Sequence, residues 1–281
     1  MTENKGKYDE RNQLNDLTGK EWLKLTKSFL ISEKCAEDKK AFEHPAPFLI
    51  KDVEKMISMF TKKGMTVLDP FAGSGTSMLA CVNLNRKSIN IDLSEKYKEL
   101  AYNRLVLKGK NFSSSNKYIV GNSLTKMDSL DEVDYVITSP PYHNILKNKG
   151  NGIRNQNNKE HRTGSRLGVE YYSELSDDLG NQETYSDFLL LLKKIMSKAY
   201  AILKNKKYCS LVISDFTVNK KEVNVQGDIV QLMEKIGFEF VGTIVLLQDN
   251  KPLYPFGYPY AFKINHMHQN IINFRKVEKN E

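Results

Sequence analysis

Short apolar runs alternate with longer amphipathic stretches along most of this 281-residue chain. Directly adjacent apolar residues are typical of buried strands, whereas apolar residues that recur every three or four positions are typical of helices. The pattern predicts strands near residues 66–69, 88–92, 117–120, 134–138, 208–213, 239–247 and 270–274. It predicts helices near residues 49–61, 75–84, 94–107, 184–203 and 226–236. This alternation indicates an α/β layered sheet, in which ligands bind at the carboxyl ends of the strands.

The beginning of the chain follows a different pattern. Residues 1 to about 20 are polar and charge-balanced, and we expect them to be mobile. An apolar face that we expect to dock on the core follows, made of Trp22, Leu23, Leu25, Phe29 and Leu30. We therefore predict an N-terminal arm and helix over residues 1–43, a main domain over residues 44–276 and a short tail over residues 277–281.

The first predicted strand runs into a glycine-containing loop and then a helix. In this loop, which reads Asp69-Pro70-Phe71-Ala72-Gly73-Ser74-Gly75-Thr76, the two glycines permit positive φ and close backbone approach. Ser74 or Thr76 can cap the helix. Asp92 ends the next strand, where an acid can accept both ribose hydroxyls of a nucleoside. The pattern favours a nucleotide site over a plain tight connection. Met78 stands where a nicotinamide dehydrogenase has its third glycine.

A second motif follows the β-branched strand that ends at Thr138. It reads Ser139-Pro140-Pro141-Tyr142. The two prolines fix φ and remove two backbone donors, so the carbonyls there are available to a ligand. The Ser139 hydroxyl and the Ser139 or Pro140 carbonyl can accept from an exocyclic amino group, and Tyr142 offers a ring for stacking. The motif therefore suits a flat, amino-bearing ring, although Pro-Pro-Tyr also occurs in linkers and peptide ligands.

Together, the two motifs resemble those of the amino-group DNA methyltransferases that use S-adenosylmethionine. His44-Pro45-Ala46-Pro47-Phe48 resembles the segment that covers the methionine end of the cofactor, and residues 268–276 resemble the closing strand. The resemblance spans roughly residues 20–276. It implies a Rossmann-like class I methyltransferase fold, with a roughly seven-stranded, mostly parallel sheet and helices on both faces. The main domain is then the catalytic domain.

The resemblance also implies residue roles. The catalytic residues are Ser139, Pro140, Pro141 and Tyr142. The cofactor-binding residues are His44, Pro45, Asp69, Pro70, Phe71, Ala72, Gly73, Ser74, Gly75, Thr76, Asp92, Asn122, Ser123 and Thr138. One position departs from the family, because Asn122 stands where an aspartate usually accepts from the adenine amino group. Since an amide oxygen can also accept, we expect cofactor binding.

The order of the motifs, with the cofactor loop before the catalytic turn, leaves residues 143–182 as the main place for a DNA-reading element. Residues 143–168 hold six basic residues and one acid, Glu160, among many glycines and asparagines. We expect this loop to contact phosphates, a merely solvated insertion being the alternative. The expected DNA-binding residues are Lys147, Lys149, Arg154, Lys159, Arg162 and Arg166.

Composition agrees with this interpretation. Lys and Arg exceed Asp and Glu by 42 to 34, and the net charge of +8 suits a polyanionic partner. Cys35, Cys81 and Cys209 lack zinc-site spacing, and none follows a proline as the thiolate of cytosine-C5 methyltransferases typically does. Without a long apolar run or a signal peptide, we expect a soluble, cytoplasmic protein that contacts DNA in the nucleoid, with no metal.

The sequence thus predicts methyl transfer from S-adenosylmethionine to the amino nitrogen of a base flipped out of double-stranded DNA. Cytosine N4 is favoured because serine at the first motif position leans that way in the family. The alternatives are adenine N6, an RNA or other amino-group substrate, and a non-catalytic homologue that still binds DNA, which Asn122 suggests. A cognate restriction enzyme is a further candidate partner, and the sequence leaves both monomer and homodimer open.

Overall fold

A computed structural model describes residues 6–109, 113–143, 175, 177–219, 221–249 and 251–278. The strands are β1 (Phe29–Ile31), β2 (Thr66–Asp69), β3 (Lys87–Asp92), β4 (Asn116–Val120), β5 (Val133–Thr138), β6 (Leu203–Ile213), β7 (Phe216–Val218), β8 (Lys221–Val223), β9 (Phe238–Leu247) and β10 (His268–Lys276). The helices are α1 (Gly19–Leu25), α2 (Ile50–Phe60), α3 (Thr76–Asn83), α4 (Glu95–Leu107), α5 (Ser123–Lys126), α6 (Tyr185–Ile202) and α7 (Val225–Glu234).

Eight strands form one sheet in the order β1-β9-β10-β6-β5-β2-β3-β4. Within the described sheet, β10 runs antiparallel to its neighbours β6 and β9, and the other pairs are parallel. The carboxyl ends of β2, β3 and β5 therefore meet at one edge, where the glycine loop, Asp92 and the Ser139–Tyr142 turn begin.

The mostly parallel sheet and the positions of all seven predicted strands are confirmed, but the predicted strand number was one too low. β1 adds an eighth strand beside β9, and it has only three residues, of which Phe29 and Ile31 are exposed. A strand of three residues is too short to show an alternation of apolar and polar positions in the sequence. The small β7–β8 hairpin was missed for the same reason.

Helices cover both faces of the sheet, as predicted. Neighbouring residues in β2, Val67 and Leu68, join different buried clusters, and so do Val136 and Ile137 in β5. One cluster includes residues of α6 and α7, and the other includes residues of α2 and α3. Because successive strand side chains point to opposite faces, this division means that the sheet is buried on both sides.

The N-terminal arm corrects one expectation. Its end is tied to the core, whereas the sequence pattern predicted a mobile segment: buried Asn15 donates to the Met59 carbonyl at 2.7 Å, and Asp16 pairs with buried Arg86 at 2.9 Å. Of the predicted docking face, Trp22, Leu25 and Leu30 pack on the core, whereas Leu23 is 72% exposed and Phe29 is 46% exposed. None of the helices in the described ranges has the length and apolar composition of a membrane span.

Candidate active site

The loop after β2 depends on two glycines with positive φ. Gly73 has φ +47° and Gly75 has φ +73°, and Gly75 is the residue that precedes α3. A Cβ atom on Gly75 would lie 2.4 Å from the Ala101 Cβ in α4, and one on Gly73 would lie 3.0 Å from the His44 Nε2. The glycines therefore allow the loop to approach α4 on one side and residues 44–48, which we call the cover segment, on the other.

The expectation that Ser74 or Thr76 caps α3 was wrong. No side chain caps this helix, because both hydroxyls are buried and accept from Arg104 in α4. The Arg104 Nη1 donates to the Ser74 carbonyl at 2.7 Å, to the Ser74 Oγ at 3.1 Å and to the Thr76 Oγ1 at 2.9 Å. The Tyr118 hydroxyl donates to the Gly73 carbonyl at 2.6 Å. Arg104 and Tyr118 thus fix the loop, and neither was predicted as a site residue from the sequence.

Asp69 lies at the junction of the two motifs. Its carboxylate accepts from the Thr138 Oγ1 at 2.7 Å, from the Phe71 amide at 3.1 Å and from the Ser77 hydroxyl. Complete burial raises the pKa of Asp69 to about 6. Asp69 and Thr138 therefore join β2 to β5 below the site.

Asp92 fixes the next loop and remains accessible. Its Oδ2 accepts from the Gly73 amide at 2.8 Å, and its Oδ1 accepts from the Ser94 amide at 3.0 Å. Burial raises the pKa of Asp92 to about 6, and nearby Asp69 and Asp178 raise it further. At neutral pH the ionised carboxylate presents acceptor positions at the end of β3.

The cover segment places an imidazole over the glycine loop. The His44 Nδ1 accepts from the Ala46 amide at 3.2 Å, and the ring lies 4.5 Å from the Tyr97 ring between centroids. Burial lowers the pKa of His44 to about 4. His44 is therefore neutral at physiological pH and closes the site without adding a positive charge.

The turn formed by Ser139–Tyr142 is held by residues far away in the sequence. The Ser139 Oγ donates to the Val212 carbonyl at 2.8 Å. The Tyr142 hydroxyl accepts from the Ser214 amide and from the Gln269 Nε2, both at 3.0 Å. The ring of Tyr142 stacks on Phe216, with centroids 5.5 Å apart and planes 18° apart. These contacts fix both the height and the tilt of the tyrosine ring.

Asn122 already has two partners. Its Oδ1 caps α5 by accepting from the Leu124 amide at 2.9 Å, and its Nδ2 donates to the Asp177 Oδ2 at 3.1 Å. Ser123 donates to the Pro70 carbonyl at 2.6 Å. The Asp177 carboxylate, which comes from a distant segment of the chain, thus lies beside the Asn122 amide.

All these elements surround one cavity of about 350 Å³, within the range of small-molecule sites. It extends from the cover segment past Gly73 and Asp92 to the catalytic turn, and on to Gln248 and Lys251. The predicted site residues that line it are His44, Pro45, Pro70, Phe71, Gly73, Asp92, Asn122, Ser123, Ser139, Pro140, Pro141 and Tyr142. Those outside the lining are Asp69, Ala72, Ser74, Gly75, Thr76 and Thr138.

A comparison with protein families supports the resemblance that the two motifs indicated. The family model described as DNA methylase, of the N6/N4 methyltransferases, matches residues 1–103 and 133–281. The chain belongs to the N6/N4 DNA methylase family. Family membership implies S-adenosylmethionine as the cofactor, and the residues that line the cavity fit it. Asp92 offers a carboxylate that can accept from ribose hydroxyls, the glycine loop permits close approach, and Asn122 and Asp177 place an amide and a carboxylate side by side.

Curated methyltransferases share parts of their sequence with this chain. The orphan methyltransferase M.BamHII of Bacillus amyloliquefaciens is 41% identical over 73 residues, which are 26% of this chain and 28% of the relative. The type II methyltransferase M2.DpnII of Streptococcus pneumoniae is 36% identical over 98 residues, which are 35% of each chain. The chain therefore matches only about a third of the length of these relatives, or less.

Solved structures share the fold of this member of the family. TrmN from Thermus thermophilus superposes with a TM-score of 0.51 at 17% identity, covering 86% of this chain and 52% of that one. Precorrin 8w decarboxylase from Methanobacterium thermoautotrophicum also gives a TM-score of 0.51, at 11% identity, covering 86% of this chain and 99% of that one. The class I methyltransferase fold is thereby confirmed.

The remaining predicted residues divide into two groups. Cys81 and Cys209 are completely buried, and burial raises the pKa of both thiols, so neither is an accessible thiolate nucleophile. The predicted DNA-binding residues lie outside the described part of the chain, and their role stays a prediction. They are Lys147, Lys149, Arg154, Lys159, Arg162 and Arg166.

The pKa of Asp92 predicts a pH dependence of cofactor binding. The resemblance implies that Asp92 accepts from the ribose hydroxyls. Protonation of its carboxylate would then remove acceptor capacity, so affinity should fall as the pH drops through about 6, by about tenfold per pH unit below the pKa. Stability should follow the opposite trend, because a raised carboxylate pKa contributes stability at low pH that is lost as the pH rises through about 6.

Calorimetric titration with S-adenosylmethionine across this pH range measures the effect. The control is Asp92→Asn, which should bind weakly and with little pH dependence. If that variant retained the full dependence, Asp69, with a pKa also raised to about 6, would be the titrating group instead.

Proposed function

We propose that this protein transfers a methyl group from S-adenosylmethionine to the exocyclic amino nitrogen of a base flipped out of double-stranded DNA. One observation carries the proposal: the cofactor loop and the Ser139–Tyr142 turn open onto the same cavity. Flipping is required because the amino nitrogen of a stacked base cannot reach this cavity. When bound, the cofactor supplies an electrophilic methyl group on its sulfonium.

Two oxygens of the turn are suited to accept the two amino hydrogens. Because the Ser139 hydroxyl donates its hydrogen to the Val212 carbonyl, its lone pairs face away from that bond and act as an acceptor. The Pro140 carbonyl is the second acceptor, since no donor in the described residues reaches it. Accepting both hydrogens draws the nitrogen lone pair out of conjugation with the ring and aims it at the methyl group.

Tyr142 holds the flipped base by stacking. Phe216 covers one face of its ring, and the Ser214 amide and the Gln269 side chain hold its hydroxyl. A ring fixed in this way loses little entropy when a base packs on its other face. The turn therefore presents a preformed platform for the base.

Cytosine N4 is the proposed target, a choice that rests on Ser139 at the first motif position. Adenine N6 is the alternative, since both bases carry an exocyclic amino group that the two acceptors can bind. Mass spectrometry of nucleosides from methylated DNA distinguishes these products.

The decisive experiment is expression in a methylation-deficient host, followed by genome sequencing that reports N4-methylcytosine and N6-methyladenine in context. We expect one modified sequence motif, which should be absent with the Pro140→Ala/Tyr142→Ala double variant. A genome left unmodified by a protein that binds the cofactor would contradict the proposal and point to an RNA or other amino-group substrate, or to a non-catalytic homologue.

Asn122 and Asp177 would hold the adenine end of the cofactor, with Asp177 supplying the carboxylate that the family usually has at the position of Asn122. Restoring the family residue by Asn122→Asp would then place two carboxylates side by side, because the Asn122 Nδ2 and the Asp177 Oδ2 are now 3.1 Å apart. We expect weaker cofactor binding, by about one order of magnitude, rather than tighter binding.

The matched control is the exchange variant Asn122→Asp/Asp177→Asn, which again pairs one amide with one carboxylate. It should recover most of the wild-type affinity in calorimetry. An Asn122→Asp single variant that bound the cofactor more tightly than wild type would show that Asp177 does not act at the adenine.

A further inference from the structure

The segment that connects β9 to β10 displays apolar side chains to solvent. In residues 251–267, which we call the aromatic loop, Tyr260 is 94% exposed and Phe262 is 92% exposed. The loop has further exposed apolar side chains, which are Leu253, Tyr254, Phe256, Tyr258 and Ile264. Several exposed apolar side chains on one segment are typical of an interaction surface.

The aromatic loop has a defined shape of its own. Asn265 joins its two arms, because its Oδ1 accepts from the Tyr254 amide at 3.0 Å and its Nδ2 donates to the Tyr254 carbonyl at 2.9 Å. At the tip, the Gly257 carbonyl accepts from the amides of Tyr260 and Ala261, both at 2.7 Å. A Cβ atom on Gly257 would lie 2.3 Å from the Ala261 carbonyl oxygen. The chain therefore builds a turn that holds the rings outward.

The base of the aromatic loop adjoins the catalytic turn. The Gln248 amide donates to the Met267 carbonyl at 2.7 Å, and Gln248 and Lys251 line the cavity. The Gln248 Nε2 donates to the Gln269 Oε1 at 3.0 Å, and Gln269 in turn donates to the Tyr142 hydroxyl. Two hydrogen bonds thus connect Gln248, at the end of β9, to Tyr142, the residue proposed to hold the base.

The charge of the aromatic loop identifies the kind of partner. The aromatic loop contains Lys251 and Lys263 and no acidic residue. With a net charge of +8 on the chain, apposition of two such loops would bring like charges together, whereas a polyanion is attracted. Exposed aromatic rings beside basic side chains are the combination that binds unpaired nucleic-acid bases.

We propose that the aromatic loop docks on duplex DNA next to the target nucleotide. The Tyr260 and Phe262 rings pack on bases that become exposed when the target leaves the stack, and Lys263 neutralises the backbone beside them. The placement beside a flipped nucleotide rests on the proposed function, and the proposal extends that function by assigning a DNA-contacting surface in the described part of the chain.

The test compares Tyr260→Ala/Phe262→Ala with wild type by fluorescence anisotropy, using a short labelled duplex and the same duplex with one central abasic site. Wild type should bind the abasic duplex more tightly, and the double variant should lose that preference and bind about tenfold or more weakly. Phe262→Tyr should retain binding, whereas Phe262→Leu should not, because stacking requires a ring. Leu107→Ala, which truncates an exposed apolar side chain on α4, is the matched control and should bind as wild type does.

The outcomes are distinct. Both ring positions are exposed, so the variants should retain the unfolding temperature and cofactor affinity of wild type. If the double variant binds both duplexes as tightly as wild type does, the proposal is overturned. It is also overturned if wild type is a dimer that dissociates when the two rings are removed, because the loop would then bind a second copy of this chain. Genome methylation tests the proposed function separately. If the loop variants methylate the genome normally, only the inference about the aromatic loop is overturned. If duplex binding depends on the rings but the genome is not methylated, only the proposed function is overturned.

Discussion

The Gly75→Ala variant is expected to lose at least two orders of magnitude in affinity for S-adenosylmethionine and about 2–5 kcal/mol of stability. Gly75 has φ +73°, and the new Cβ atom would lie 2.4 Å from the Ala101 Cβ. The left-handed backbone and the overlap both push the loop away from α4. That displacement breaks the hydrogen bonds that fix Gly73 to Asp92 and to Tyr118, so the loop no longer faces the cavity correctly.

Two further variants separate the causes. Gly64 has a positive φ with open space around it, so Gly64→Ala should cost about 1 kcal/mol of stability and leave cofactor affinity unchanged. The double variant Gly75→Ala/Ala101→Gly removes the overlapping methyl group and should regain part of the affinity. Calorimetry and urea unfolding measure both quantities. Wild-type affinity in Gly75→Ala would show that the loop does not contact the cofactor.

The second large effect is expected at Ser139. Ser139→Ala removes one of the two acceptors for the amino hydrogens, and the methylation rate should fall by about 10²–10³-fold, as when one group of a preorganised polar site is deleted. Cofactor affinity should stay within about twofold of wild type, because the loss concerns the base and not the cofactor. Single-turnover methylation of DNA carrying the recognised motif measures the rate, and calorimetry measures the affinity.

The hydrogen bond to Val212 decides which replacement can rescue this position. The Ser139 Oγ both donates to that carbonyl and accepts from the proposed substrate. Ionised aspartate cannot donate, so Ser139→Asp would place two acceptors against each other. Asparagine can do both, and Ser139→Asn should therefore exceed both alanine and aspartate in rate. A Ser139→Ala variant with the wild-type rate would remove serine from the mechanism.

Sequence alone was sufficient for the elements with long, regular periodicity. The helix predicted over residues 184–203 corresponds to α6 at residues Tyr185–Ile202, and the strand predicted at 134–138 corresponds to β5. The two motifs and Asp92 were placed at the correct edge of the sheet, because residue type and position at a strand end carry that information locally.

The supports of the site were not accessible from sequence. Gln269 reaches Tyr142 because β10 inserts between β6 and β9, and no local pattern encodes that insertion. Arg104 lies on a helix face with apolar neighbours, where nothing in the sequence shows that it points at the glycine loop. Asp177 meets Asn122 across 55 residues of chain. Each of these contacts depends on tertiary packing.

The Asp69 carboxylate has a consequence for chimeric proteins. It links the strand that leads to the cofactor loop with the strand that leads to the catalytic turn, through the Thr138 hydroxyl. A chimera of two relatives with its junction between these residues would combine an acid from one parent with an unmatched partner from the other. Functional recombination in this family should therefore favour junctions that lie outside residues 69–138.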